Sequence, residues 1–199
     1  MKVTLLLPDS IILTGSYIKL EPIEEPHRHI LKMISQDERI STYSPALKLK
    51  FNSWFDKAIK PYQESRQVSF IVRTLSDNRI VGSTRFYEIY PEHKRLSIGY
   101  TWYIPEVWGS SVNAECKLLL LRYAFETLQT TRVEFFIDSR NERSRFAIKK
   151  LGATEEGILR QHIILEDGYV RDTVIYSILK QEWPDILLTL NSRLNYNNR

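Results

Sequence analysis

Two short stretches hold residues whose types and spacing could do chemistry. The first is Trp108-Gly109-Ser110-Ser111-Val112-Asn113, which runs directly into the apolar segment AECKLLLLRYAFE. Small residues at a helix N-terminus leave backbone N–H groups unpaired at the positive end of the helix dipole, which is how proteins hold phosphate. Such loops usually carry several glycines, whereas here one glycine is followed by two serines. The serines do not forbid the chemistry, because the donors are backbone groups. Glycine is required only where φ is positive or where a Cβ would strike the ligand, and a serine hydroxyl adds a donor. Ser110 or Ser111 can equally cap the helix, and the two roles share one end.

The second stretch is SRNERSRFAIKKLGA. Ser144, Ala147, Ile148 and Leu151 fall on one helical face, so the Ser144 hydroxyl points inward and needs a partner. A carbonyl of its own helix could supply one. Asn141 stands where a helix N-cap would stand, and Arg143, Arg145, Lys149 and Lys150 make the helix basic. His27, His29, His93 and His162 show no metal-binding spacing, and Cys116 is the single cysteine, so a cysteine-built zinc site and an internal disulfide are not expected.

These stretches need elements to place them. SYIKLEP reads as a strand and HRHILKMIS as a short helix opened by Pro26. YSPALKLK reads as an exposed loop, and FNSWFDKAIKPYQES as an amphipathic helix ended near Pro61. QVSFIVRT, RIVGSTRFYEIY and RLSIGYTWYI, with turns at SDN and PEHK, predict an antiparallel meander. The helix after the loop is apolar over most of its surface, with a polar strip through Glu115, Arg122, Glu126 and Gln129, so it packs broadly on a sheet. RVEFFID reads as a central strand completing a βαβ unit, whose loop opens at the carboxyl edge where ligands bind in open sheets. A helix over Glu142–Leu151 stops at Gly152, and two strands joined at Asp167-Gly168 end the pattern. Residues 185–199 are expected to form a C-terminal tail, whose last stretch, NSRLNYNNR, frays.

The chain has 199 residues, 43% hydrophobic and 26% charged, which fits one globular domain over 1–199 with a core at about 14–184. No apolar run approaches a membrane span, and MKVTLLLPDS lacks a small-residue cleavage site, so a cytoplasmic protein is expected. A net charge of +4 suits an anionic ligand and equally a solvated basic surface. It also admits nucleic acid, which RNERSRFAIKK alone supports weakly.

Taken in order, IGYTWYIPEVWGSSVNAECKLLLLRYAFE, RVEFFIDSRNERSRFAIKKLGATEEG and GYVRDTVIYSILKQEW resemble the GNAT acetyltransferases, in the branch of the ribosomal-protein N-terminal acetyltransferases. The likeness runs from about Thr14 to about Pro184. It implies an α/β fold: a mixed, mostly antiparallel sheet splayed in the middle and flanked by helices, with acetyl-CoA in the split. Its pyrophosphate would lie on Trp108, Gly109, Ser110, Ser111, Val112 and Asn113. Ser111 stands where the family pattern has a second glycine. The pantetheine arm would pair with the main chain of Trp102, Tyr103 and Ile104 like an added strand. Asn141 matches the residue that holds the cofactor's amide arm, Ser144 the one proposed to protonate the departing thiolate, and the basic residues around Arg145 could meet the 3′-phosphate.

The implied reaction is direct attack of a neutral amine on the thioester, with a backbone N–H near Tyr103 polarising the carbonyl. The acceptor is a small amine or a protein N-terminus, no metal is needed, and exposed sheet edges would permit a homodimer. The base is the open point. Ser97 and Ile163 stand where relatives often carry glutamate, which leaves Glu88, then His162 and Tyr87, or a water chain. A non-catalytic acyl-CoA-binding protein is the alternative those departures support.

Overall fold

The computed structural model describes residues 11–196; the opening segment MKVTLLLPDS and residues 197–199 lie outside them. Residues 13–65 supply two strands and five short α-helices. These are β1 (Leu13–Thr14), β2 (Ile18–Pro22), α1 (Arg28–Ile34), α2 (Glu38–Ser41), α3 (Ala46–Leu49), α4 (Phe51–Ala58) and α5 (Tyr62–Ser65). The expected meander follows as β3 (Val68–Thr74), β4 (Ile80–Tyr90) and β5 (Arg95–Tyr103). Then come α6 (Ser111–Arg122), β6 (Arg132–Asp138), α7 (Glu142–Leu151), β7 (Thr154–Ile164), β8 (Val170–Leu179) and α8 (Trp183–Tyr196). The strands form one sheet in the order β1-β2-β3-β4-β5-β6-β8-β7. Every pairing is antiparallel except β5 with β6, the pair joined across α6.

Period-two alternation sorts the strand residues between two cores. Phe70 and Val72 of β3 join the larger core, with the apolar residues of α6, α7 and α8, while Ile71 between them faces the smaller one. The smaller core is built from Leu47, Phe51, Trp54 and Phe55 of α3 and α4 and from Trp102 of β5.

Strands β5 and β6 touch over three pairs only, Arg95 with Arg132, Leu96 with Val133 and Ser97 with Glu134. Beyond Ser97 they part. The cause lies in β5 itself: its register against β4 shifts between Ser83 and Arg85, and Tyr100, opposite that shift, takes φ +50°. An extra residue in one strand bends it and steepens its twist, which carries the end of β5 away from β6. A second irregularity, between Tyr87 and Tyr90, places Glu88 at φ +47°.

Three expectations need correction. The expected tail is helical as far as Tyr196, because Ile186, Leu190 and Leu194 recur at helical spacing and are buried in the larger core. The segment expected as an exposed loop contains α3, whose Leu47 is fully buried. Glu115, assigned to the polar strip of α6, is only 3% exposed. Its carboxylate accepts from the backbone N–H groups of Ser16, Tyr17 and Ile18 at 2.6, 2.7 and 2.8 Å, so it pins the turn between β1 and β2 to the helix.

Candidate active site

The loop before α6 is ordered by its own short-range chemistry. Pro105 opens a single 3-10 turn over Pro105–Val107. Gly109 takes φ +78°, where a Cβ would meet nothing within 4 Å. Ser110 is extended and caps the helix, its Oγ accepting from the Val112 N–H at 3.3 Å and donating to the Val107 carbonyl at 2.7 Å. Ser111 is the first helical residue and is absent from the positive-φ positions. A side chain at 111 therefore carries no backbone strain, and the only position in the loop that needs glycine has one. The first turn of this twelve-residue helix presents N–H groups without intrahelical partners, as an anion site requires.

Trp108 locks the loop to the split. Its Nε1 donates to the Tyr103 carbonyl at 2.9 Å, and the Arg143 guanidinium lies 3.6 Å from its ring centroid. The Ile104 N–H donates to the Val81 carbonyl at 2.8 Å. By strand alternation the N–H of Tyr103 points the other way, into the split. Trp102 is buried in the smaller core and Ile104 packs against both cores. The end of β5 thus leaves its far edge unpaired with β6, with its side chains anchored on either face.

Below the loop, a chain of polar groups lies between α6 and the sheet. The Tyr103 hydroxyl donates to Asn113 Oδ1 at 3.2 Å, and the Cys116 thiol lies beside both Tyr103 and Thr84. Burial pushes the Tyr103 phenol well up and the Cys116 thiol up, so both are neutral at ordinary pH. The Thr84 and Thr101 hydroxyls are 2.8 Å apart, and Lys117 Nζ donates to Thr101 Oγ1 at 3.2 Å. Lys117 is 6% exposed, and nothing in the helical pattern had marked it out from the other long side chains.

On the opposite face of β4 and β5, Arg85 is 2% exposed. It lies between the Trp54 and Tyr100 rings, at 4.9 and 4.5 Å, and donates to Gln67 Oε1 at 3.1 Å. Burial lowers its pKa. Tyr87 meets Tyr100 edge to face at 5.1 Å, and burial raises its phenol far above the ordinary range.

The remaining expected residues fall as follows. Asn141 caps α7, its Oδ1 accepting from the Ser144 N–H at 3.1 Å. Ser144 is half-buried, and among the described residues its hydroxyl makes no bond to a carbonyl of its own helix. Arg145 turns to the Tyr176 hydroxyl and the Ser139 carbonyl, at 3.3 and 3.1 Å, and Lys149 pairs with Glu155 at 2.8 Å. Glu88 is exposed on its bulge. Ser97 is fully buried at the last β5–β6 pair, with its hydroxyl lacking a partner among the described residues. Ile163 is exposed, and His162 Nδ1 lies 3.1 Å from Thr173 Oγ1. Among the described residues no group of three or more His, Cys, Asp or Glu could hold a metal ion, and no helix is long and apolar enough to cross a membrane.

Known proteins share this arrangement. The family model described as acetyltransferase (GNAT) domain matches residues 18–154. The N-acetyltransferase YoaA of Bacillus subtilis is 31% identical over 119 residues, which are 60% of this chain and 66% of YoaA, just under two thirds of that relative's length. The crystal structure of a GCN5-related N-acetyltransferase from Brucella melitensis superposes with a TM-score of 0.83, at 28% identity, over 93% of this chain and 86% of its own. The fold is also that of Mycobacterium smegmatis RimJ in complex with CoA-disulfide, with a TM-score of 0.75 and 19% identity over 92% of this chain and 93% of that one. The bulge-driven split, the helix N-terminus above it and these matches agree, and the chain belongs to the GNAT acetyltransferase family.

Proposed function

We propose that the protein is an acetyl-CoA-dependent N-acetyltransferase acting on a primary amine, a small molecule or a protein N-terminus, in the cytoplasm. The observation that carries this reading is the parting of β5 from β6 after Ser97, directly beneath the N-terminus of α6. The residues present fit acetyl-CoA. Gly109 leaves open space where a Cβ would stand, the first turn of α6 supplies donors, and the β5 edge is unpaired with β6 beyond Ser97. When bound, acetyl-CoA supplies an activated acetyl group on a thioester.

The chain's own residues bind and orient. Gly109 and the N–H groups around Ser111 to Asn113 receive the pyrophosphate, and Arg143, held over Trp108, adds positive charge beside it. The Tyr103 N–H points into the split, where it can donate to a developing oxyanion. Ser144, with an uncommitted hydroxyl, and Glu88, exposed on a bulge of β4, are the side chains we assign to proton transfer. The Arg85–Tyr100–Tyr87 face is assigned to the acceptor, because its rings and cation lie on the side of the sheet away from α6.

A second reading, a non-catalytic acyl-CoA-binding protein, is favoured by one observation: Ser97 is buried and unpaired where a carboxylate base could stand. Titration calorimetry with acetyl-CoA, against adenosine 3′,5′-bisphosphate as a charge control, tests binding, and thiol release with an amine panel tests turnover. Binding that requires the acetyl-pantetheine arm, followed by turnover of any amine, supports the enzyme. Binding without turnover leaves the second reading, and no binding refutes both.

A further inference from the structure

Lys117 is the polar side chain that the reading above leaves unused. It sits in a run of leucines on a buried helix, with its Nζ bonded to Thr101 Oγ1 and 5.9 Å from the Phe135 ring centroid. Thr101 lies four residues beyond Ser97 on β5, and Phe135 lies one beyond Glu134 on β6, so both stand past the last pair that joins the strands. The amine therefore spans the split from its α6 side. It takes part in no ion pair among the described residues, and Thr101 Oγ1 accepts only one of the three N–H bonds an ammonium can donate.

That isolation has a cost. Burial depresses the Lys117 pKa, and the neighbouring Cys116, the one titratable group that acts on it, is held neutral by its own burial. Tyr103, on the facing strand, is neutral for the same reason. A methionine would fill the same space without desolvating an amine, so packing does not account for lysine here. A buried amine with unused donors, standing past the last β5–β6 pair, is suited to an electron-rich group that enters between the strands.

We propose that Lys117 stabilises the sulfur leaving group of the acetyl donor through charge and N–H donation from the floor of the split. This rests on the acetyltransferase reading. In the step it serves, the acceptor nitrogen bonds to the acetyl carbon and the carbon–sulfur bond breaks. The bonding electron pair stays on sulfur, facing Nζ, and the amine's proton passes to base or solvent. Thr101 acts as a positioning residue, fixing Nζ through its hydroxyl.

The test uses the full chain, Lys117→Met and Lys117→Gln, each checked for folding by thermal melting. Binding of CoA and of desulfo-CoA is measured by calorimetry, and the thiol of bound CoA is titrated by its thiolate absorbance. The wild type is expected to bind CoA about tenfold more tightly than desulfo-CoA and to ionise the bound thiol at lower pH than free CoA, the scale of one charge contact in a partly buried site. Both variants should lose that preference and that shift while keeping desulfo-CoA affinity, and kcat should fall more than KM rises. If either folded variant titrates bound CoA like the wild type, the assignment is overturned. If the wild type binds neither CoA nor desulfo-CoA, the acetyltransferase reading itself fails, and the assignment falls with it.

Discussion

The loop before α6 makes a prediction in which one substitution, Ser111→Gly, departs from what the glycine pattern suggests and another, Gly109→Ala, follows it. Ser111 is helical, so Ser111→Gly restores the family pattern without relieving any strain. It removes a side chain from a helix and should cost up to about 1 kcal/mol of stability, or about 2–4 °C in Tm for a chain of this size. Acetyl-CoA affinity should stay within about twofold, because the cradle's donors are main-chain groups. Gly109→Ala is different. At φ +78° an alanine costs about 1–2 kcal/mol, and since its Cβ meets nothing within 4 Å, that cost is conformational rather than steric. If the free loop holds its conformation, the cost appears wholly as lost stability. If the free loop relaxes to negative φ, it appears wholly as weaker binding, about 5–30-fold. The two losses together are fixed, so calorimetry with acetyl-CoA and thermal melting of the same two variants measure both parts. A tenfold gain in affinity for Ser111→Gly would refute the reasoning, since residue 111 would then have to leave helical φ on binding. So would a Gly109→Ala variant unchanged in both measurements.

Other predictions follow from single contacts. Glu115→Ala should destabilise the protein by about 3–5 kcal/mol in chemical denaturation, because hydrogen bonds to a charged group contribute about 1.5–3 kcal/mol each and only the part-buried Ser16 and Tyr17 N–H groups can regain water. Glu156 is held down to about 2 by hydrogen bonds from Arg132, below its ordinary 4.5. A depressed carboxylate stabilises the fold above its unfolded pKa and loses that contribution as pH falls through the folded one. Glu156→Gln should therefore flatten the stability curve between about pH 4.5 and 2, with small amplitude because the pair is partly exposed, and lower stability by a constant amount above about pH 4.5. Arg143→Ala should weaken acetyl-CoA binding about tenfold and make its salt dependence shallower, as measured by calorimetry at several ionic strengths.

Much of the fold was legible because the signals were local. The strands from Val68 to Tyr103, the helix stop at Gly152, where φ is +102°, and the hairpin at Asp167-Gly168 each depend on residues within a few positions of one another. The Ser111 question was only half legible. That serine tolerates helical φ is intrinsic to the residue, but which loop position turns left-handed depends on the 3-10 turn at Pro105 and the anchoring of Trp108 on Tyr103. Glu115 and Lys117 were misread or missed for one reason. Helical periodicity assigns charged residues to solvent, and it cannot show that β1–β2 brings three N–H groups to the first or that Thr101 awaits the second. The tail was misjudged because Ile186, Leu190 and Leu194 bury only against α6 and the larger core, which lie far off in the chain.

The sequence by itself determined the order of the main strands and of the helices on either side of β6, the family, and the helix N-terminus that could receive phosphate, since propensity, alternation and capping act between near neighbours. Tertiary structure alone decided where the sheet opens, which face of α6 carries a buried amine, and which cations are already paired. Those are set by strand register and bulges, and a one-residue shift in register moves every side chain to the other face, so they exist only once distant segments have met.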